Sequence, residues 1–214
     1  MNICKGNTAE VFDYDLQKVC KLFYQGIPYE YVQQEFENAK KLIELGIRVP
    51  KPFEIKFLEG RYGIIYEKIQ SVPMWECIDK EDIFETFITE HQKLLDISTD
   101  IFMPYKYFLI TMIKGKNNGE IPENLIEEIQ KLPEGNFVLH GDYHPGNVMI
   151  TASGEFVIID LLNVCCGPKE YDVARTFFLL ENQNRQDKYI EGMGYRKEEI
   201  EDYLKIIRKT RKYE

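Results

Sequence analysis

Histidine is scarce in this 214-residue chain, at three residues; tryptophan occurs once, and the cysteines number five. Those cysteines, Cys4, Cys20, Cys77, Cys165 and Cys166, contain no C-x-x-C pair, which removes the usual zinc and dithiol frameworks. They are expected to be reduced, small core residues. No apolar run approaches the ~18 residues of a membrane helix, and Met1 to Gly6 lacks the apolar stretch of a secretory signal. A cytoplasmic protein with no membrane partner is the expectation. Positive charge is also short. Against 36 Asp and Glu stand 27 Lys and Arg, a net −9, which argues against a nucleic-acid partner because such proteins neutralise phosphates with a basic surface. Residues 205 to 214 run the other way: Lys205, Arg208, Lys209, Arg211 and Lys212 face only Glu214, a local +4 that leaves −13 on the rest. What is present suffices for a packed core, since AVILMFWYC make up 44% and aromatics 13%.

Texture along the chain changes twice. Residues 3 to 24 read as short strands: Asn2-Ile3-Cys4, Ala9 to Tyr14, and Lys18 to Tyr24. From Tyr29 to Leu45, Val32, Phe36, Ala39, Leu42 and Ile43 recur at helical spacing, and Gly46 stands where a left-handed cap would end the helix. Phe53 to Phe57 and Tyr62 to Tyr66 form a further strand pair turning at Glu59-Gly60. The expected result is an α+β, two-lobe chain. Residues 1–69 give a five-stranded antiparallel lobe with one helix, and 70–214 a mainly helical lobe carrying a hairpin. Helices are expected over Glu81 to Leu95, Tyr105 to Lys114, around Leu125 to Leu132, from Tyr171, and from Lys197.

A β-like island, 137 to 162, interrupts the helical part. Its second half reads as a hairpin with Ser153-Gly154 as a two-residue turn, so that Asn147 and Asp160 pair across its open end. A slip of one residue would move one of them to the other face. Asp142, five residues before Asn147 across Pro145-Gly146, can curl over the same spot. Two carboxylates and an amide oxygen without thiolate suit a hard cation that keeps its waters, Mg²⁺ more than Zn²⁺, and such a cation usually shares phosphate oxygens. That chemistry is phosphoryl transfer. The competing pattern, His140, Asp142 and His144 as a metal cluster on a strand, is weakened by Gly141 and Pro145-Gly146, which break strand geometry. His140 reads better as a packed residue bonded to the loop backbone.

His140-Gly141-Asp142-x-x-x-x-Asn147, then Ile159-Asp160, then Gly167-x-x-x-x-Asp172-x-Ala174, resembles the signature of the aminoglycoside phosphotransferase and choline kinase superfamily, which shares the protein-kinase architecture. The resemblance implies Asp142 as catalytic base, Asn147 and Asp160 as Mg²⁺ ligands, and Asp172 as the brace of the catalytic loop at a helix start. It implies ATP or GTP as phosphoryl donor and a small-molecule hydroxyl as acceptor. Gly6, Asn7 and Thr8 resemble the family's nucleotide loop, with one glycine where Gly-x-Gly-x-x-Gly would have three. Lys21, flanked by apolar residues, matches its phosphate-contacting lysine. The lysine's partner is expected to be Glu35, with Glu37 as runner-up. Glu67 to Ile69 match the hinge whose backbone meets adenine, and Ile3, Val19, Ile64, Tyr66 and Ile158 are candidates for an apolar pocket around the base. His91 is expected to pack beneath the catalytic loop.

Two departures stand out. Asp160 is followed by Leu161-Leu162-Asn163, and Cys165-Cys166 occupy the loop before Gly167. After Asp172 only 42 residues remain for an acceptor pocket, with Glu170, Glu181, Glu191 and Glu198 as candidate contacts for a cationic acceptor. That shortness motivates an alternative expectation, a nucleotide-binding regulatory module with a vestigial acceptor site.

Overall fold

The computed structural model describes residues 3–116 and 119–213; Asn2 and the side chains of Ile3 and Cys4, named above, lie outside the described residues. In chain order the elements are β1 Ile3–Lys5, β2 Ala9–Asp13, β3 Lys18–Phe23, α1 Tyr29–Glu44, β4 Pro52–Leu58, β5 Arg61–Glu67 and β6 Ser71–Pro73. There follow α2 Glu81–Leu95, α3 Tyr105–Lys116, α4 Glu123–Lys131, β7 Phe137–Leu139, β8 Val148–Thr151, β9 Phe156–Ile158 and β10 Cys165–Gly167. The chain closes with α5 Lys169–Leu179, α6 Gln183–Gly192 and α7 Lys197–Thr210. This is the α+β class the pattern called for, with antiparallel sheets and seven α-helices among the described residues. No helix among them is long and apolar enough to cross a membrane.

Two compact units emerge, and they do not follow chain order. The first joins Met1–Glu76 to Gly146–Leu162; the second joins Cys77–Pro145 to Asn163–Glu214. The expected division near residue 70 left the hairpin with the helices, whereas here β8 and β9 group with the amino-terminal strands. Hydrogen bonding is the reason: β6 pairs with β8, Ser71 opposite Thr151 and Pro73 opposite Met149, and the Ile158 amide donates to the Arg48 carbonyl at 3.0 Å.

In the first unit a five-stranded antiparallel sheet has the order β1-β2-β3-β5-β4. Glu59 and Gly60, at φ 51° and 78°, form the two-residue turn that joins β4 to β5, since a right-twisted ribbon favours left-handed turn residues. Of the α1 residues at helical spacing, Val32, Ala39 and Leu42 are buried, Phe36 is half-buried and Ile43 is exposed; Glu35 and Asn38 share the buried face. Each fully buried valine or leucine contributes roughly 1.5–3 kcal/mol of burial. Gly46 at φ 81° ends α1: its amide donates to Ile43 and that of Ile47 to Leu42, so the last carbonyls are satisfied by a left-handed cap.

The β8–β9 hairpin differs from expectation by one residue. Val148 pairs with Ile158 and Ile150 with Phe156, so the loop is three residues long, and Gly154 takes φ 81° at its end. A two-residue turn at Ser153-Gly154 would have set Asn147 opposite Asp160. Instead the Ile159 amide donates to the Asn147 carbonyl at 2.9 Å, and Asp160 comes one position later. Its φ of 61° is rare for a residue other than glycine, though aspartate tolerates it better than most.

In the second unit, β10 pairs with β7, Cys165 opposite Leu139, a two-stranded sheet that the sequence pattern did not reveal. Cys165 and Cys166 are buried and unbridged within it; elsewhere Cys20 is buried and Cys77 half-buried, neither in a disulfide. An aromatic stack forms the centre of this unit. Phe87 and Tyr143 have ring centroids 4.6 Å apart, and His91 lies 4.0 Å from Tyr143. Helix α6 was not foreseen; Asn182 caps it by accepting from the Arg185 amide.

Candidate functional site

The first unit gathers charge. The Lys21 ammonium lies 2.7 and 2.8 Å from the two Glu35 oxygens and 2.9 Å from Asp160 Oδ1. Strand β3 supplies the lysine, α1 the glutamate, and the chain just beyond β9 the aspartate. Burial alone would pull the Lys21 pKa down, but the Glu35 and Asp160 carboxylates outweigh it and hold it above its ordinary value, so the ammonium stays charged. Burial pushes the Glu35 carboxyl up, opposed by Lys21. Tyr66, whose phenol is raised chiefly by burial and so remains a donor, bonds to Glu35 Oε1 at 3.3 Å. Glu37, the runner-up, bonds instead to Lys40 on the helix surface.

One ammonium facing two carboxylates leaves a net negative charge, and its outlet is Asp160, 42% exposed where Glu35 is 2%. The Asn147 carbonyl accepts the Ile159 amide, and Asp160, past the last paired position at a left-handed φ of 61°, is released from the strand's alternation of faces; the two offer a carboxamide and a carboxylate, both hard oxygens. Among the described residues no cluster of three His, Cys, Asp or Glu side chains could hold a metal unaided. Such a donor set fits Mg²⁺, which takes few protein ligands and completes its shell with water and phosphate oxygens.

Behind Asp160 the chain is pinned to α1. Asn38 Nδ2 donates to the Leu161 carbonyl at 2.9 Å and Gln34 Nε2 to that of Leu162 at 3.1 Å. Gly6, Asn7 and Thr8 form the turn between β1 and β2, in which the Gly6 amide donates to the Ala9 carbonyl and the Tyr24 amide to that of Thr8, both at 2.9 Å. Glu67 ends β5 gripped by Arg48 at 3.0 and 3.2 Å, and that hydrogen-bonded pairing lowers its pKa. Ile69 follows, its carbonyl accepting from Ser71 Oγ at 3.4 Å. Of the apolar pocket candidates, Ile64, Tyr66 and Ile158 are buried and Val19 is half-buried.

The second unit holds Asp142 in a loop whose backbone is fixed by Asp172. That carboxylate accepts the His140 amide on Oδ2 and the Gly141 amide on Oδ1, both at 2.8 Å, and Oδ2 also lies 3.0 Å from His91 Nε2. His91 Nδ1 in turn lies 2.8 Å from the Tyr189 hydroxyl. Burial alone would raise the Asp172 pKa, but the hydrogen bond and charge of His91, aided by His140, hold it below its ordinary value. His140 is itself buried and accepts the Asp142 amide on Nδ1 at 3.2 Å. Gly141 has φ 76°, and a Cβ there would meet the Asn163 carbonyl oxygen at 2.6 Å, so only glycine fits. Asp142 Oδ1 lies 3.3 Å from Arg175 Nη2 and Oδ2 lies 3.7 Å from His144 Nε2. Sequence reasoning missed Arg175; its signal was an arginine one turn after Asp172, preceded by Val173 and Ala174 and followed within three residues by Phe177 and Phe178.

Comparison with known proteins bears on the fold and on the stretch that carries the motifs. The sequence model of the phosphotransferase enzyme family matches residues 114–206, the stretch that contains 140 to 147, Asp160 and Asp172. A search of curated proteins by sequence found no match. Among solved structures, the choline kinase LicA from Streptococcus pneumoniae is similar with a TM-score of 0.69 at 16% identity, covering 100% of this chain and 85% of its own. The aminoglycoside phosphotransferase APH(3'')-Id from Streptomyces rimosus gives 0.70 at 14% identity, covering 96% and 90%. A putative fructosamine-3-kinase from Haemophilus somnus gives 0.63 at 17%, covering 92% and 76%. The fold is therefore the kinase-like one of these phosphotransferases. More narrowly, the chain resembles the aminoglycoside phosphotransferase and choline kinase superfamily, as its motifs implied.

Proposed function

We propose that this protein is a small-molecule kinase that transfers the γ-phosphoryl group of a nucleoside triphosphate, ATP or GTP, to a hydroxyl group, in the manner of an aminoglycoside phosphotransferase. The observation that carries the reading is the Lys21, Glu35 and Asp160 cluster, in which side chains distant in sequence meet around one part-buried ammonium. In this reading residues 1–69 clamp the nucleotide and 70–214 carry catalysis. Lys21 contacts phosphate and is oriented by Glu35. The Gly6, Asn7 and Thr8 turn faces the phosphates, and the backbone from Glu67 to Ile69 meets the base. Asn147 and Asp160 would hold Mg²⁺, which when bound neutralises phosphate charge. Asp142 accepts the acceptor's hydroxyl proton as the acceptor oxygen bonds to the γ-phosphorus. The bond from that phosphorus to the β–γ bridging oxygen breaks, and the nucleoside diphosphate leaves. The cytoplasm, where nucleoside triphosphates are abundant, is the corresponding location.

Support for the acceptor class comes from similar structures solved with ADP and streptomycin and with ADP and spectinomycin. The test is a nucleoside-diphosphate release assay with Mg²⁺ against sugars, aminoglycosides and amino alcohols, paired with nucleotide-binding measurements. Wild-type protein should turn over at least one acceptor class. Asp142→Asn should keep Mg-nucleotide binding while transfer falls by about 10²–10⁴. Full transfer by that variant refutes the assignment of the base. Binding without turnover of any acceptor converts the reading to a regulatory module.

A further inference from the structure

Asp172 accounts for only part of the hold that α5 has on the loop at 140 to 143. Positions 172, 175 and 176 stand at i, i+3 and i+4 on the helix and share one face. Asp172 takes the amides of His140 and Gly141. Arg175 Nε donates to the Gly141 carbonyl at 3.0 Å, while its Nη2 reaches Asp142 Oδ1 at 3.3 Å. Thr176 Oγ1 donates to the Tyr143 carbonyl at 2.8 Å. Every residue of the loop is thus held by one helical face, and Asp142 is the residue held through its side chain.

Arg175 is 5% exposed, a degree of burial at which a guanidinium needs partners. Its two contacts leave from one edge of a rigid plane, Nε to main chain and Nη2 to carboxylate, so the position of Oδ1 is tied to the backbone one residue before it. On the Oδ2 side His144 Nε2 lies 3.7 Å away. We propose that Arg175 is a positioning residue for Asp142: it commits Oδ1 and so fixes the carboxylate orientation in which Oδ2 meets the acceptor's proton. This deepens the kinase reading and rests on Asp142 as its base.

Arg175→Lys tests the proposal, because it keeps the charge and loses the planar two-point grip. Misplacing a reacting group by about 1 Å costs up to about 10²-fold, so kcat should fall about 10- to 100-fold. Acceptor KM and the Kd for Mg-nucleotide should stay within about twofold, which a general loss of structure would not allow. In an Asp142→Asn background the same change should cost less than about twofold more, since the group through which Arg175 acts is gone. Should the lysine variant fail to fold, Arg175→Gln, planar and able to reach the Gly141 carbonyl, carries the same measurements. An unchanged kcat in an active protein overturns this proposal alone, as do full multiplicative losses with Asp142→Asn or a change confined to KM or Kd. A wild-type chain that transfers phosphate to no acceptor overturns the kinase reading, and this one with it.

Discussion

The two units arrange their polar residues in opposite ways. In the first, side chains from distant segments meet through charge, and the ammonium of Lys21 divides itself between Glu35 and Asp160. In the second, Asp172, Arg175 and Thr176 direct most of their bonds at main-chain atoms of one short loop. A charge cluster with an exposed member can exchange partners, as binding a polyanion and a cation requires. Backbone bonds to a buried carboxylate cannot be exchanged without unmaking the loop. Under the proposed function, ligand capture and base placement make contrary demands, one on each unit.

That contrast can be broken by substitution, beginning where the largest change is expected. Asp172→Ala removes the acceptor of two buried amides and the partner of His91, and should lower unfolding free energy by about 3–5 kcal/mol in chemical denaturation. The effect has a pH signature. Because the native carboxyl lies below its ordinary value, its stabilisation is present near neutrality and is lost as pH falls through the acid range; the alanine variant should lack that part of the acid limb. If the variant unfolds like wild type, the loop is not held as described.

Gly141→Ala should cost less, about 1–3 kcal/mol, through its φ of 76° and the 2.6 Å approach to Asn163. Transfer should fall with it, as read by the diphosphate-release assay; an alanine variant of full stability would contradict the close approach.

Asp160→Asn should be the mildest for stability, within about 1 kcal/mol, because the ion pair it loses is part-exposed and asparagine also tolerates the left-handed backbone. Its consequence should appear in titrations, as the loss of Mg²⁺-dependent enhancement of nucleotide binding. A large drop in melting temperature, or binding that still responds to Mg²⁺, would erase the distinction between the units.

Much of this was legible in the residues themselves. Lys21 stood out because an apolar-flanked lysine on a strand needs a partner, and Glu35 lay on the helix that follows. The strands and α1 followed from alternation, helical spacing and Gly46. Other features lay beyond pattern. The hairpin register turned on whether Gly154 closed a two- or a three-residue loop, and Ser153-Gly154 is compatible with either. The grouping of β8 with β6 depends on a pairing across some 75 residues, which no local periodicity encodes. Arg175 was hidden for a different reason: its partners are a carbonyl and a carboxylate more than 30 residues away, and a lone arginine on a helix is usually a solvated one.

The split composition of the first unit also has a bearing on biosynthesis. Residues 1–76 leave the ribosome well before 146–162, and until those arrive β6 lacks its partner strand and Lys21 one of its two carboxylates. With translation adding about 5–20 residues per second, that interval lasts several seconds, a period in which β6 has no strand to pair with. A chain stalled before residue 160 would therefore hold the loop containing Asp142 but not the completed cluster of Lys21, Glu35 and Asp160.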